Sequence, residues 1–305
     1  MYHYVRDGAR VHARTTAELE GQLDHVAAAY EVVGLAAVRD GDLPENACLL
    51  TFDDGLVEHL ETVAPALRRR GLSGCFCPPA RPVLERSVLD VQKTQFLLAA
   101  SDDHGALARR ILDLARPYGV ASDEELRARN TPPHRFDPPE TVFVKRVLQD
   151  GLPEGPRREI LDRLFAELVS DDERSFADGL YLTLDGVREL AAMGLDVAGH
   201  GYSHRRLGLL DEDAQRDEIA RTRDFLGRVS GDEPAGWTMC YPYGSRDGTT
   251  LRLLREAGCA LGLTTDVGLA GSGSDPLQLP RIDTNDLPVE VVERPRVDRP
   301  VAEAP

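Results

Sequence analysis

The chain has 305 residues, 42% of them hydrophobic, and its 52 acids outnumber 36 bases to give a formal net charge of −16. That length accommodates a real core and one large α/β domain, while the acidic balance argues against a nucleic-acid binder. No stretch is long and apolar enough for a membrane span, so none is expected.

"YHYV" at the start reads as a short first strand. A capping-box pattern, Thr15 to Glu18, opens a helix whose Leu19, Leu23, Val26 and Tyr30 recur at helical spacing. "ACLLTF" reads as a buried strand, followed by a helix carrying Val63 and Leu67 and ending near Gly71. "SGCFCPP" is the next strand, stopped by Pro78 and Pro79. Strand, helix, strand in alternation implies a parallel sheet covered by helices. The rhythm then breaks. Between about residues 82 and 180 four amphipathic segments read as helices, around a polar, proline-rich connector "RARNTPPHRFDPPET". This region reads as a helical insertion.

The alternation resumes with the helix "LDGVRELAAMG", closed by Gly194, and the strand "LDVAG". A long helix with Ile219, Phe225, Leu226 and Val229 inward comes next. "GWTMCYPYG" is a strand and turn, and "CALGLTT" and "LQLPRI" are later strands. The predicted organisation is one domain over residues 1–288, with the insertion at about 82–180 and a charged, partly disordered tail over 289–305. The five cysteines (Cys48, Cys75, Cys77, Cys240, Cys259) are few, odd in number and mostly on apolar segments. They are expected to be buried thiols rather than a disulfide framework. Together with an N-terminus that lacks an apolar signal core, they predict a cytoplasmic protein.

Three strand ends carry the chemistry. "LLTFDDGL" places Asp53, Asp54 and Gly55 after a buried run, at the end of a parallel strand where ligands bind in such folds. Taken alone, the pair fits a helix N-cap and a first-turn acid better. "GHGYSH" sets His200 and His204 four apart, as surface or capping histidines or as two ligands on one side of a loop. With Asp54 they make a His-His-carboxylate set that leaves positions for water. "YPYGSRD" is an ordinary turn, or one that aims a backbone N–H inward.

Thr51-Phe52-Asp53-Asp54-Gly55, then His200-x-x-x-His204, then the Pro-Tyr turn, in this order, resemble the polysaccharide deacetylase family (the NodB homology domain, carbohydrate esterase family 4). The resemblance covers about residues 1–80 and 180–288. It implies a distorted (β/α) barrel of the NodB type, here carrying the helical insertion. It further implies a divalent metal, usually Zn2+, held by Asp54, His200 and His204. Asp53 would be the general base, and the backbone N–H of Tyr243 would help to hold the oxyanion. Two departures stand out. The family's base-orienting arginine is replaced by Cys240, and Arg281 in "LPRID" is the expected substitute. The family's late histidine, which serves as general acid, is missing. Asp283 is the first candidate for that role, ahead of Asp286 and His3, and Asp53 shuttling the proton itself is a further option. The position after the first metal histidine, often serine or threonine in the family, is Gly201.

The function this implies is metal-dependent removal of an N-acetyl group from an amino sugar, in an intracellular sugar-containing precursor or a secondary metabolite. Two alternatives remain: hydrolysis of another small amide, such as an N-formyl group or cyclic imide, and a non-catalytic carbohydrate-binding protein on the same fold. The oligomeric state is not legible.

Overall fold

The computed structural model describes residues 1–8, 11–133 and 137–290. Its strands are short and all pair in parallel: β1 (Glu31–Val32) with β2 (Ala47–Cys48), β3 (Thr51–Asp53) with β4 (Cys75–Cys77), β4 with β5 (Asp196–Val197), and β6 (Thr238–Cys240) with β7 (Leu261–Leu263). Single parallel bridges extend these rows. Tyr2 joins Phe52 on β3, Gly199 joins Met239 on β6, and Leu263 on β7 joins Leu279. The resulting order, from Tyr2 through β3, β4, β5, β6 and β7 to Leu279, is the parallel α/β arrangement that the sequence predicts. Among the described residues no closed sheet forms. The two end rows meet instead through a side-by-side contact, in which the Met1 ammonium donates to the Ile282 carbonyl at 2.7 Å.

Two expected strands shrink to bridges. "YHYV" contributes Tyr2 and a Val5–Arg14 bridge, and "LQLPRI" contributes Leu279. Prolines flank the second at Pro276 and Pro280, and proline has no N–H to give to a ladder.

The helices follow the sequence signals closely. Thr15 caps the Thr16–Ala29 helix, and the Glu18 carboxylate returns to the Thr15 N–H at 2.8 Å, which completes the capping box. Gly71 ends the Ala64–Arg70 helix in the left-handed conformation. Leu19, Leu23, Val26, Val63, Leu67, Ile219, Phe225 and Leu226 are buried in the main core between sheet and helices, whereas Tyr30 and Val229 pack at its margin, half-buried. The five cysteines are free thiols, four of them buried.

Between Ala80 and Asp178 the chain is helical, without a strand among the described residues. Leu97, Ile111, Phe143, Val144, Leu161 and Leu164 form an apolar cluster of this region's own. A second cluster ties it to the first strand and the β3 turn through Tyr4, Leu56, Leu89, Phe165 and Tyr181. Arg127–Asn130, expected in the connector, finish the Asp123–Asn130 helix, which a Ser122–Glu125 capping box starts. The connector's middle residues 134–136, and the tail from 291 on, lie outside the described residues.

Candidate metal and hydrolase site

The site sits where β3, β5 and β6 end. Asp53 is the last residue of β3, and its N–H donates to the Tyr2 carbonyl at 2.8 Å. The chain then turns sharply: Asp54 has φ 74° and Gly55 φ 64°. Only glycine adopts that conformation cheaply, and a Cβ at Gly55 would lie 2.6 Å from Cβ of Pro78. Gly55→Ala is therefore expected to cost roughly 2–4 kcal/mol, the sum of left-handed strain and overpacking. Denaturant unfolding measures it, and a loss under about 0.5 kcal/mol, the range of neutral surface substitutions, would contradict the tight packing.

Asp54 is buried. One carboxylate oxygen, Oδ2, accepts from Gln92 Nε2 at 2.8 Å. The other, Oδ1, has no hydrogen-bond partner. It lies 3.5 Å from Nε2 of His200 and 3.5 Å from Nε2 of His204. A buried carboxylate oxygen without a donor is costly, and two imidazole nitrogens converging on it complete a group of three that could hold a cation. His200 Nδ1 bonds the Cys240 carbonyl at 2.8 Å. A carbonyl only accepts, so the Nδ1 carries a proton and Nε2 is the nitrogen turned to Asp54. Burial, followed by the neighbouring His200, pushes the His204 imidazole down to about 3, which keeps it neutral. The donor set and the orphaned oxygen fit a divalent cation of the zinc type.

Asp53 is buried beside this cluster and is held differently. Arg281 grips both its oxygens, Nη1 to Oδ1 at 3.0 Å and Nη2 to Oδ2 at 2.9 Å. The same guanidinium donates to Thr51 Oγ1 and the Thr264 carbonyl. The Cys240 thiol lies 3.4 Å from each Asp53 oxygen. Burial would raise the Asp53 pKa, but Arg281, then His200 and His3, more than offset it and hold the carboxyl far below the ordinary range.

Tyr243 reaches the same place from the turn after β6, with φ 57° and its ring against His204, centroids 4.8 Å apart. His204 itself has φ 58°. Of the four described non-glycine residues with positive φ, three (Asp54, His204, Tyr243) thus line one site. Such strain concentrates where a precise geometry is held.

Asp283 is engaged in a turn. Its Oδ1 accepts from Asn285 N at 2.8 Å and Asn285 Nδ2 at 2.7 Å, which caps the short turn Thr284–Asp286. No hydrogen bond brings it to Asp53, Asp54, His200 or His204. His3, by contrast, is felt electrostatically by Asp53, Asp54 and His204 alike.

With this geometry, the comparisons acquire meaning. The sequence profile of the family "Polysaccharide deacetylase" matches residues 172–262. Over that stretch the chain is similar to the polysaccharide deacetylase family. Solved structures of similar fold include the Streptococcus pyogenes deacetylase PplD in complex with acetate. It is 16% identical with a TM-score of 0.57, over 92% of this chain and 89% of that one. A de-N-acetylase from Aggregatibacter actinomycetemcomitans is 16% identical at TM-score 0.52, over 93% and 94% of the two chains. The BpsB deacetylase domain from Bordetella bronchiseptica is 14% identical at TM-score 0.51, over 91% and 87%. No curated protein sequence matches. The profile match takes in His200, His204 and Tyr243 but stops short of the Asp53-Asp54 turn, which the fold brings to them.

Two residues at this site escape the sequence reading. Gln92 comes from the helical region and touches Asp54. Its signal is a polar side chain on the inward stripe of an amphipathic helix, where Leu89 and Phe96 mark the apolar positions. Glu218 is the other. This buried residue of the Glu212–Ser230 helix accepts from the N–H groups of Tyr202 and Ser203, both at 3.0 Å, and from the Ser203 hydroxyl. It fixes the loop that presents His204 and so compensates for the flexible Gly201.

Proposed function

We propose that this chain is a divalent-metal-dependent hydrolase that removes an N-acetyl group from an amino sugar, on a distorted (β/α) barrel spanning residues 1–288. The observation that carries the reading is the division between two adjacent buried aspartates. Asp54 turns an unpartnered oxygen to two imidazoles, while Asp53 is locked by Arg281 beside them. Asp54, His200 and His204 would hold the ion, Zn2+ in this reading, which when bound acidifies water and polarises an amide carbonyl.

The protein's own groups then divide the work. Asp53, ionised throughout the neutral range, accepts the proton of the attacking water as the new C–O bond forms. Arg281 orients it in the role of the family arginine that Cys240 displaces. The Tyr243 N–H, in a turn fixed by its left-handed backbone, donates to the developing oxyanion. His3, facing both aspartates, delivers a proton to the nitrogen as the C–N bond breaks, so the products are acetate and a free amine. His3 is favoured over Asp283 because Asp283 spends its carboxylate on a turn.

The test is metal removal. Protein dialysed against a chelator is expected to release no acetate from N-acetylglucosamine oligomers or glycosides, and to regain activity when about one equivalent of Zn2+ is restored. Full activity in the chelated protein would overturn the reading. Wild-type protein that binds ion and glycan without any acetate release would instead favour a carbohydrate-binding protein.

A further inference from the structure

The helix Asp90–Ala100 turns polar side chains inward. Gln92, Lys93 and Thr94 are all buried on it. Two of them are satisfied within the helical region. The Lys93 ammonium pairs with Asp162 and Glu173, and the Thr94 hydroxyl returns to the Asp90 carbonyl. Gln92 alone reaches out of it. Its Nε2 donates to Asp54 Oδ2 at 2.8 Å, and its Oε1 meets the Tyr181 hydroxyl at 3.2 Å. The Tyr181 oxygen in turn accepts the Leu89 N–H at 3.2 Å.

The direction of this chain of bonds is determined. A backbone N–H can only donate and a carboxylate can only accept. Leu89 therefore gives to Tyr181, Tyr181 gives to Gln92, and Gln92 gives to Asp54. The tyrosine fixes which end of the amide faces the carboxylate, a choice an isolated glutamine leaves open. The same segment clamps the backbone of the turn. Leu56 bridges Tyr181, Val57 N–H donates to the Leu180 carbonyl at 3.0 Å, and Leu182 N–H donates to the Gly55 carbonyl at 2.9 Å.

We propose that Gln92 is a positioning residue for Asp54 as a metal ligand, and that the helical insertion is by this contact a working part of the site. The proposal rests on the reading that Asp54, His200 and His204 hold a divalent cation. With Oδ2 occupied by the Gln92 amide, the carboxylate has one orientation, and Oδ1 is the oxygen left for the ion. Without Gln92 the carboxylate rotates, and a buried oxygen lacks its donor. Hydrogen bonds behind a metal ligand typically set affinity by about 10- to 100-fold.

The experiment titrates Zn2+ into purified wild type, Gln92→Leu and Tyr181→Phe against a competing chromogenic chelator, and follows thermal melting with and without the ion. The apparent Kd of Gln92→Leu is expected to weaken about 10- to 100-fold, and that of Tyr181→Phe to move less in the same direction. The metal-induced rise in Tm should shrink in both. A merely structural role would lower the melting of metal-free and metal-loaded protein alike and leave Kd unchanged; that result overturns the proposal. If Gln92→Leu does not fold, Tyr181→Phe decides, and wild-type affinity in that variant overturns it. Wild-type protein that takes up no cation would instead sink the metal reading itself, along with this consequence of it.

Discussion

Arg281→Met is expected to destabilise the protein by about 3–5 kcal/mol, because it strips the partner from a buried carboxylate. Asp53 cannot relax into water, and the Cys240 thiol is a weak donor. With the guanidinium gone, only His200 and His3 still oppose burial, so the Asp53 carboxyl moves upward from its wild-type position. The sign of the pH effect follows. In the wild type the folded pKa of Asp53 lies below its unfolded value. Its contribution is therefore present above the unfolded carboxylate pKa and lost as pH falls through the folded one. In the variant the folded pKa moves up toward the unfolded value, so less of that contribution remains. The gap between the two proteins should widen as pH rises through the carboxylate range in urea unfolding. On the proposed function, the acid limb of any residual amide hydrolysis should move to higher pH, because Asp53, the proposed base, holds its proton where the wild type has shed it. Adding Asp53→Asn to Arg281→Met should recover part of the stability but none of the activity. A single variant within about 1 kcal/mol of wild type, the typical worth of an exposed pair, would show that the bidentate contact is not holding the site together.

The parts of this site that were legible in the sequence are those in which one residue type serves one local purpose. Asp53-Asp54-Gly55 announces a turn at a strand end, and His200 and His204 announce a pair of ligands. Arg281 was readable only against a missing neighbour. Cys240 occupies the place of an arginine, and a charge 41 residues further on fills the gap because the Leu279 row lies beside β7. Gln92 and Glu218 were not legible in the same way. Each sits on a helix whose apolar stripe describes packing well, and nothing local to a glutamine or glutamate says that its amide or carboxylate ends on a loop 38 or 16 residues away in sequence. The sheet shows the opposite limit. The parallel sense of the sheet was implied by the alternation of elements, but the extent of pairing was not. Tyr2 and Leu279 are held by single bridges whose formation depends on neighbours, not on β-propensity.

The missing late histidine poses the sharpest mechanistic question, and two substitutions answer it. His3→Gln is expected to lower kcat by about 10²- to 10⁴-fold, the usual range for losing a general acid. Asp283→Asn should leave kcat near normal, since an asparagine oxygen can still accept from Asn285 and keep the turn. The reason lies in the row geometry. Tyr2 pairs with Phe52 and its carbonyl accepts the Asp53 N–H, so the next residue, His3, is level with Asp53 at the end of β3. Asp53, Asp54 and His204 each feel its charge. Asp283, by contrast, accepts from the Asn285 N–H and side-chain amide in its own turn. A merely structural effect of His3→Gln is separable from loss of an acid. An amine leaves poorly without a proton, but p-nitrophenolate leaves without help. The deficit of His3→Gln should therefore be large on an N-acetyl sugar and nearly vanish on p-nitrophenyl acetate, whereas a collapsed site would lose both. Near-normal kcat on the amide in His3→Gln, with a large loss in Asp283→Asn, would return the role to the aspartate despite its position in the turn.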